Sequence, residues 1–172
     1  MLIRLLAAVA VGCGLLLTAS VPANAQNKRG PSTPEERKHV LEDIHYWQAN
    51  PMDEDAKAQV GSVLKWFTDV PDLTVHVCIL LDKLPTGDKK DSATIFSGQF
   101  MGQAAYVLEN AGKAEDRQPE LVAGVESALR VYQLLLKANP KDRQPFLEEL
   151  LKRREAGTLA EFVQEKAATG CK

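Results

Sequence analysis

Apolar residues recur along most of this chain at intervals of three and four, the period of a helix with one buried face. Thr33-Pro34-Glu35-Glu36 reads as a helix start, with Thr33 as cap, Pro34 in the first turn and Glu36 completing a capping box. Val40, Leu41, Ile44 and Trp47 continue at helical spacing until Asn50-Pro51 ends the element. Asp53-Glu54-Asp55 opens a second helix, acids at the positive end of its dipole, and Ala56, Val60, Val63, Leu64 and Phe67 form its buried stripe up to Pro71. Farther on, Asp116 starts an amphipathic helix carrying Leu121, Val125, Ala128, Leu129, Tyr132, Leu135 and Leu136, closed by Asn139-Pro140. Asp142-Arg143-Gln144-Pro145 repeats the letters of Asp116-Arg117-Gln118-Pro119 and predicts the same capping for a helix buried through Phe146, Leu147, Leu150 and Leu151. Gly157 breaks that helix. Thr158-Leu159-Ala160-Glu161 predicts a capping box for a short final one, with Leu159, Phe162 and Val163 buried.

Two stretches depart from this pattern. Ser92 to Leu108 carries no charge at all, with Asp91 in front and Gly112 behind, and predicts a central buried helix. One of its faces is small (Gly98, Gly102, Ala105), and Gly124 and Ala128 give the next helix a similar face, so the two backbones can approach closely. Leu73 to Leu81 fits both periods: Leu73, Val75, Val77 and Ile79 alternate as in a strand, whereas Leu73, Val77, Leu80, Leu81 and Leu84 suit a helix. A lone strand finds no strand partner elsewhere in the chain, which favours helix. Pro85 to Asp91 reads as a loop. The expectation is an all-α, single compact domain of six or seven helices, an antiparallel or orthogonal bundle, over 33–172.

Composition locates the chain rather than reshaping it. Of 172 residues, 45% are hydrophobic and 26% charged, the balance of an ordinary globular domain. Arg4, the apolar run Leu5 to Leu17 and the A-x-A site Ala23-Asn24-Ala25 read as a signal peptide over 1–25 cleaved after Ala25, followed by a flexible lead-in, 26–32. This predicts a secreted or periplasmic protein. Without Arg4, 20 basic residues face 23 acidic ones, a net charge of about −3 that gives no general attraction to nucleic acid or to an anionic membrane. No later segment is apolar enough to span a bilayer. Cys13 leaves with the signal. In an oxidising compartment Cys78 and Cys171 read as a disulfide tying the C-terminal tail to the core, worth on the order of 4 kcal/mol by chain entropy. The competing reading is a buried thiol and a dangling one.

Candidate chemistry is sparse. His39 and His45 stand six apart, on different helix faces, and His76-Val77-Cys78 lacks the second ligand pair of a zinc site. Asp53, Glu54 and Asp55 lack the alternation and glycine of a calcium loop, and Ser62-Val63-Leu64-Lys65 matches S-x-x-K without its partner motifs. Glu109 marks the end of the central helix rather than an acid catalyst. No catalytic residue, metal or cofactor is predicted. The candidate ligand or partner site is the central helix, through Gly98 and Gly102 on its small face and Phe96, Phe100, Met101 and Tyr106 among its bulky side chains.

Residues 128–140 resemble the second helix of a tetratricopeptide repeat, with Ala128, Tyr132 and Pro140 at matching spacing. That resemblance covers about 13 residues and implies helical hairpins presenting a concave protein-binding surface. The chain after the signal is also similar to small secreted bacterial all-helical proteins, a likeness that implies no activity. The expected function is therefore non-catalytic binding of a protein partner. The alternatives are a small apolar ligand between helices and an enzyme without a familiar motif.

Overall fold

Glycines decide how the chain folds. The computed structural model describes residues 29–85, 90–112 and 116–171, and the signal sequence and cleavage site expected over 1–25 lie outside them. The described residues form six helices and no strand: α1 (Pro34–Ala49), α2 (Ala56–Asp69), α3 (Lys90–Glu109), α4 (Arg117–Ala138), α5 (Pro145–Glu155) and α6 (Leu159–Gly170). At the centre, α3 and α4 run antiparallel with their backbones almost touching. A Cβ placed on Gly98 would lie 2.9 Å from Val131 Cγ2 and 3.2 Å from Ala128 Cα. One placed on Gly102 would lie 2.4 Å from Ser127 Cβ and 2.5 Å from the Ala123 carbonyl oxygen. Only glycine fits at such a crossing, and the small faces expected to pack closely do so.

The other helices pack on this pair. α1 lies on α3 and holds α2 beside it, and α6 lies on α4 with α5 bridging the two. Trp47, buried, donates its indole N–H to the Ala56 carbonyl at 3.0 Å and fixes the corner between α1 and α2. The capping box at Thr33 and Glu36 forms as expected. Just ahead of it Asp72 accepts the Ser32 backbone N–H (2.9 Å) and hydroxyl (2.8 Å) and pairs with Arg37 at 2.8 Å. The Ser32 amide holds the Asp72 carboxyl below the usual range, with the Arg37 charge adding to the effect.

Several local expectations are corrected. Asp142 does not cap α5; Gln144 occupies the cap position and Asp142 accepts from Asn139 instead. The start of α5 is held from α4, where the buried Tyr132 hydroxyl accepts the Gln144 N–H (2.8 Å) and donates to Glu148 (2.7 Å). Burial pushes the Tyr132 phenol up to about 12. Thr158 makes no capping bond to α6; its hydroxyl donates back to the Arg153 carbonyl. Leu64 is 50% exposed rather than part of the α2 stripe. Gly112 and Gly157, placed as helix stops, both adopt positive φ, +88° and +73°.

The largest correction concerns 73–81, which is not helical. The segment runs between α2 and α3 with Val77 and Ile79 outward and Cys78 and Leu80 buried, the alternation of an extended chain. Among the described residues no strand pairs with it. Its partners are side chains of α3 and α4, a solution that counting strands does not consider.

The crossing makes a direct prediction. Gly102→Ala forces a methyl against backbone and is expected to lower stability by about 1–3 kcal/mol in urea unfolding. Gly61→Ala, on the exposed face of α2 with nothing within 4 Å, is expected to be neutral or to stabilise by up to about 1 kcal/mol. Equal effects at the two positions would show that the close approach is not what requires glycine.

Candidate functional site

The exceptional polar chemistry lies where the extended segment crosses the end of the α3/α4 pair. Gln99 and Gln103, one turn apart on α3, and Glu120, in the first turn of α4, are all buried, Glu120 to 3% exposure. Glu120 Oε1 accepts the His76 backbone N–H at 2.7 Å, and Oε2 lies 2.7 Å from the His76 ring Nδ1. Gln103 donates to the His76 carbonyl, and Gln99 donates to the Cys78 carbonyl at 3.0 Å. Gln99 Nε2 also lies 3.3 Å from Gln103 Oε1, so the two amides form one network. Among the described residues Gln99 Oε1 has no hydrogen-bond partner.

The glycine crossing makes this network possible. A Cβ on Gly124 would lie 2.6 Å from Gln103 Cγ and 2.9 Å from the Gln99 carbonyl oxygen. The stem of Gln103 lies across the space that Gly124 leaves, and this brings its amide to the segment. Buried polar groups are costly unless paired; these two amides and one carboxylate supply the hydrogen bonds that a second strand would have given.

The far side of the segment is clamped by the C-terminus. Cys78 and Cys171 form a disulfide, 93 residues apart in sequence. Beside it, the Ile79 N–H donates to the Gly170 carbonyl at 3.2 Å. A Cβ on Gly170 would stand 2.5 Å from the Ile79 carbonyl oxygen, so α6 can end there only in glycine. Lys166 donates to both carboxylate oxygens of Asp82, at 3.0 and 2.8 Å, and holds that carboxyl below its ordinary range. The Leu80 N–H turns back to the Cys78 carbonyl at 3.1 Å, a three-residue turn that ends the extended stretch.

A buried carboxylate on an imidazole is also half of a catalytic triad. Among the described residues no hydroxyl or thiol is bonded to His76, and Cys78 is spent in the disulfide. Glu120 also takes the backbone N–H of His76, so the pair orients the chain as much as the ring. His45 meets Glu109 at 3.2 Å on an exposed helix end, and Lys65 pairs with Asp69, away from Ser62. No three His, Cys, Asp or Glu residues among those described gather as a metal site would require.

The residues singled out on α3 are not brought together. α4 fills the space over Gly98 and Gly102, which leaves no groove there. Met101 is fully buried, Phe100 packs edge-on against Phe67 with centroids 6.4 Å apart, Tyr106 is half-buried and Phe96 is 40% exposed. None of the four lines the open cleft of about 810 Å³ between the α1–α2 turn and the facing ends of α3 and α4, whose wall includes Met52, Asp53, Glu54 and Leu135. Sequence reasoning missed Gln99, Gln103 and Glu120. Their signal was two amides four apart on a helix otherwise chosen for burial.

Two losses are expected. Glu120→Ala strands the His76 N–H and should cost about 1–3 kcal/mol in urea unfolding, with Glu120→Gln, which keeps an acceptor, costing less. Replacing both Cys78 and Cys171 by alanine should cost about 4 kcal/mol. Unchanged stability in either would remove that clamp from the account. No protein-family model, curated protein or solved structure matches this chain.

Proposed function

We propose that this chain is a non-catalytic, extracytoplasmic binding protein that holds a protein partner on the segment Leu73 to Ile79. The observation that carries the reading is the exposure of Val77 (77%) and Ile79 (66%) on a stretch fixed from both sides. Isolated surface apolar residues are ordinary. Here two of them project from a stretch held by a disulfide, three buried polar side chains and a helix terminus. Rigidity of this kind lowers the entropy lost when a partner binds.

The compartment rests on two supports. A disulfide between buried Cys78 and partly buried Cys171 fits an oxidising environment, and the A-x-A pattern at Ala23-Asn24-Ala25 fits export and cleavage. Among the described residues no helix is long and apolar enough to cross a membrane.

Site-specific photocrosslinking tests the reading. A benzophenone side chain at position 77 or 79, irradiated in the native compartment, is expected to yield an adduct of one defined mass. The same group at position 64, half-exposed on α2, is expected to yield none. Excess unlabelled folded protein should compete the adduct away, and reduced, unfolded protein should not. Adducts independent of position, or none at all, would overturn the proposal.

A further inference from the structure

We infer, building on that binding role, that the partner is taken by strand addition: an extended peptide with apolar residues at alternate positions pairs its backbone with the open edge at Val75 and Val77.

In an extended chain the N–H and C=O of one residue point to the same edge, and those of the next residue point to the opposite edge. On one edge His76 is filled at both groups, by Glu120 and Gln103, and Cys78 is filled at its carbonyl by Gln99. The odd-numbered residues serve the other edge. There the Ile79 N–H is taken by Gly170, while the N–H and C=O of Val75 and Val77 have no partner among the described residues. Val77 is more than three-quarters exposed and Val75 is partly buried against the core, so the reach of a ligand centres on Val77. A row of free donors and acceptors at two-residue spacing complements another extended backbone.

What surrounds the edge narrows the occupant. Val77 and Ile79 stand out beside it, so the added strand meets apolar side chains and favours apolar residues in alternate positions. The stretch is short, closed at one end by the turn at Leu80 and the contact with Gly170. Two exposed side chains offer far less than the roughly 800 Å² per partner of a standard protein interface. This favours a peptide held through its backbone over a second copy of the chain. The bound edge is already immobilised by side chains on its opposite edge, so a peptide meets a template that need not be ordered first.

The test begins with a displayed library of linear twelve-residue peptides, selected on the oxidised mature chain, and resynthesis of the best binder. Methylating its amide nitrogens one at a time should weaken binding about fivefold or more at alternate positions within the paired stretch and less than twofold between them, since one net hydrogen bond of about 1 kcal/mol is worth that factor. On the protein, Val77→Pro deletes one edge donor and should abolish binding. Val77→Thr keeps the donor and the branched shape and should bind within a few-fold of the parent. Circular dichroism and an intact disulfide check that both variants fold. Binding that needs Val77 but shows no two-residue period would overturn strand addition and leave the binding role standing. A chain that sediments as a dimer dissociated by Val77→Pro would name a second copy as occupant and overturn the peptide. Selection of no peptide dependent on Val77 would also overturn the inference, and if position-specific adducts at 77 and 79 are absent too, the binding role falls with it.

Discussion

The contact between the backbones of α3 and α4 is the constraint on which the rest of the molecule depends. Gly98, Gly102 and Gly124 let the two helices meet closer than side chains allow, with a would-be Cβ of Gly102 only 2.5 Å from the Ala123 carbonyl oxygen. Such closeness fixes register as well as distance. A slide of one residue along either helix would drive a side chain into the other backbone. The pair is thus a rigid spine, and the positions of Gln99, Gln103 and Glu120 on it follow from where the glycines fall.

From that spine the extended segment follows. Helix is the commoner way for an apolar stretch to satisfy its backbone when no strand is available. The stretch 73–81 takes another route, because the spine presents two amides and a carboxylate at the spacing of its inward-facing donors and acceptors. The arrangement is asymmetric. On one edge of the segment both backbone groups of His76 and the carbonyl of Cys78 are engaged by α3 and α4, and on the other, among the described residues, the Ile79 N–H is engaged by Gly170. The disulfide acts at the same place. By joining Cys171 to Cys78 it closes a long loop and also brings Gly170 against the end of that second edge.

Much of this was legible in the sequence. The capping box at Thr33, the stops at Gly112 and Gly157, the close faces of Gly98 and Gly102 against Gly124 and Ala128, and the partnership of Cys78 with Cys171 all follow from residue types whose physical roles are narrow. Capping at Asp142 and Thr158 was misread because a capping motif states only what a side chain can do. At Asp142 a neighbour, Asn139, competes for the carboxylate, and Tyr132 reaches the start of α5 from another helix. The segment 73–81 was misread for a deeper reason. Its alternation is visible, but counting strand partners treats a strand as the only structure that can satisfy another. Side-chain amides on a helix can do so too, and nothing in the local sequence of 73–81 announces them. The small face of α3 leaves no groove for a related reason: a face able to admit a ligand is equally able to admit the neighbouring helix, and α4 covers Gly98 and Gly102.

The contacts that hold 73–81 exceed what a simple connector between α2 and α3 requires. A connector between α2 and α3 would need little beyond hydration, and a polar loop of glycine, serine and asparagine would supply it without buried amides. This segment instead draws on α3, α4 and α6, buries a carboxylate and leaves one amide oxygen, Gln99 Oε1, without a partner among the described residues. Burial of Cys78, Leu80 and Leu81 accounts for part of that investment, because those side chains complete the core. It does not account for Val77 and Ile79, which lie between and beside the clamped positions and add nothing to the interior. A segment held through His76 and Cys78 while the side chains of Val77 and Ile79 stay apolar and exposed has two different faces. The inner one completes the fold, and the outer one, held in a fixed shape, is the face that the proposed partner would meet.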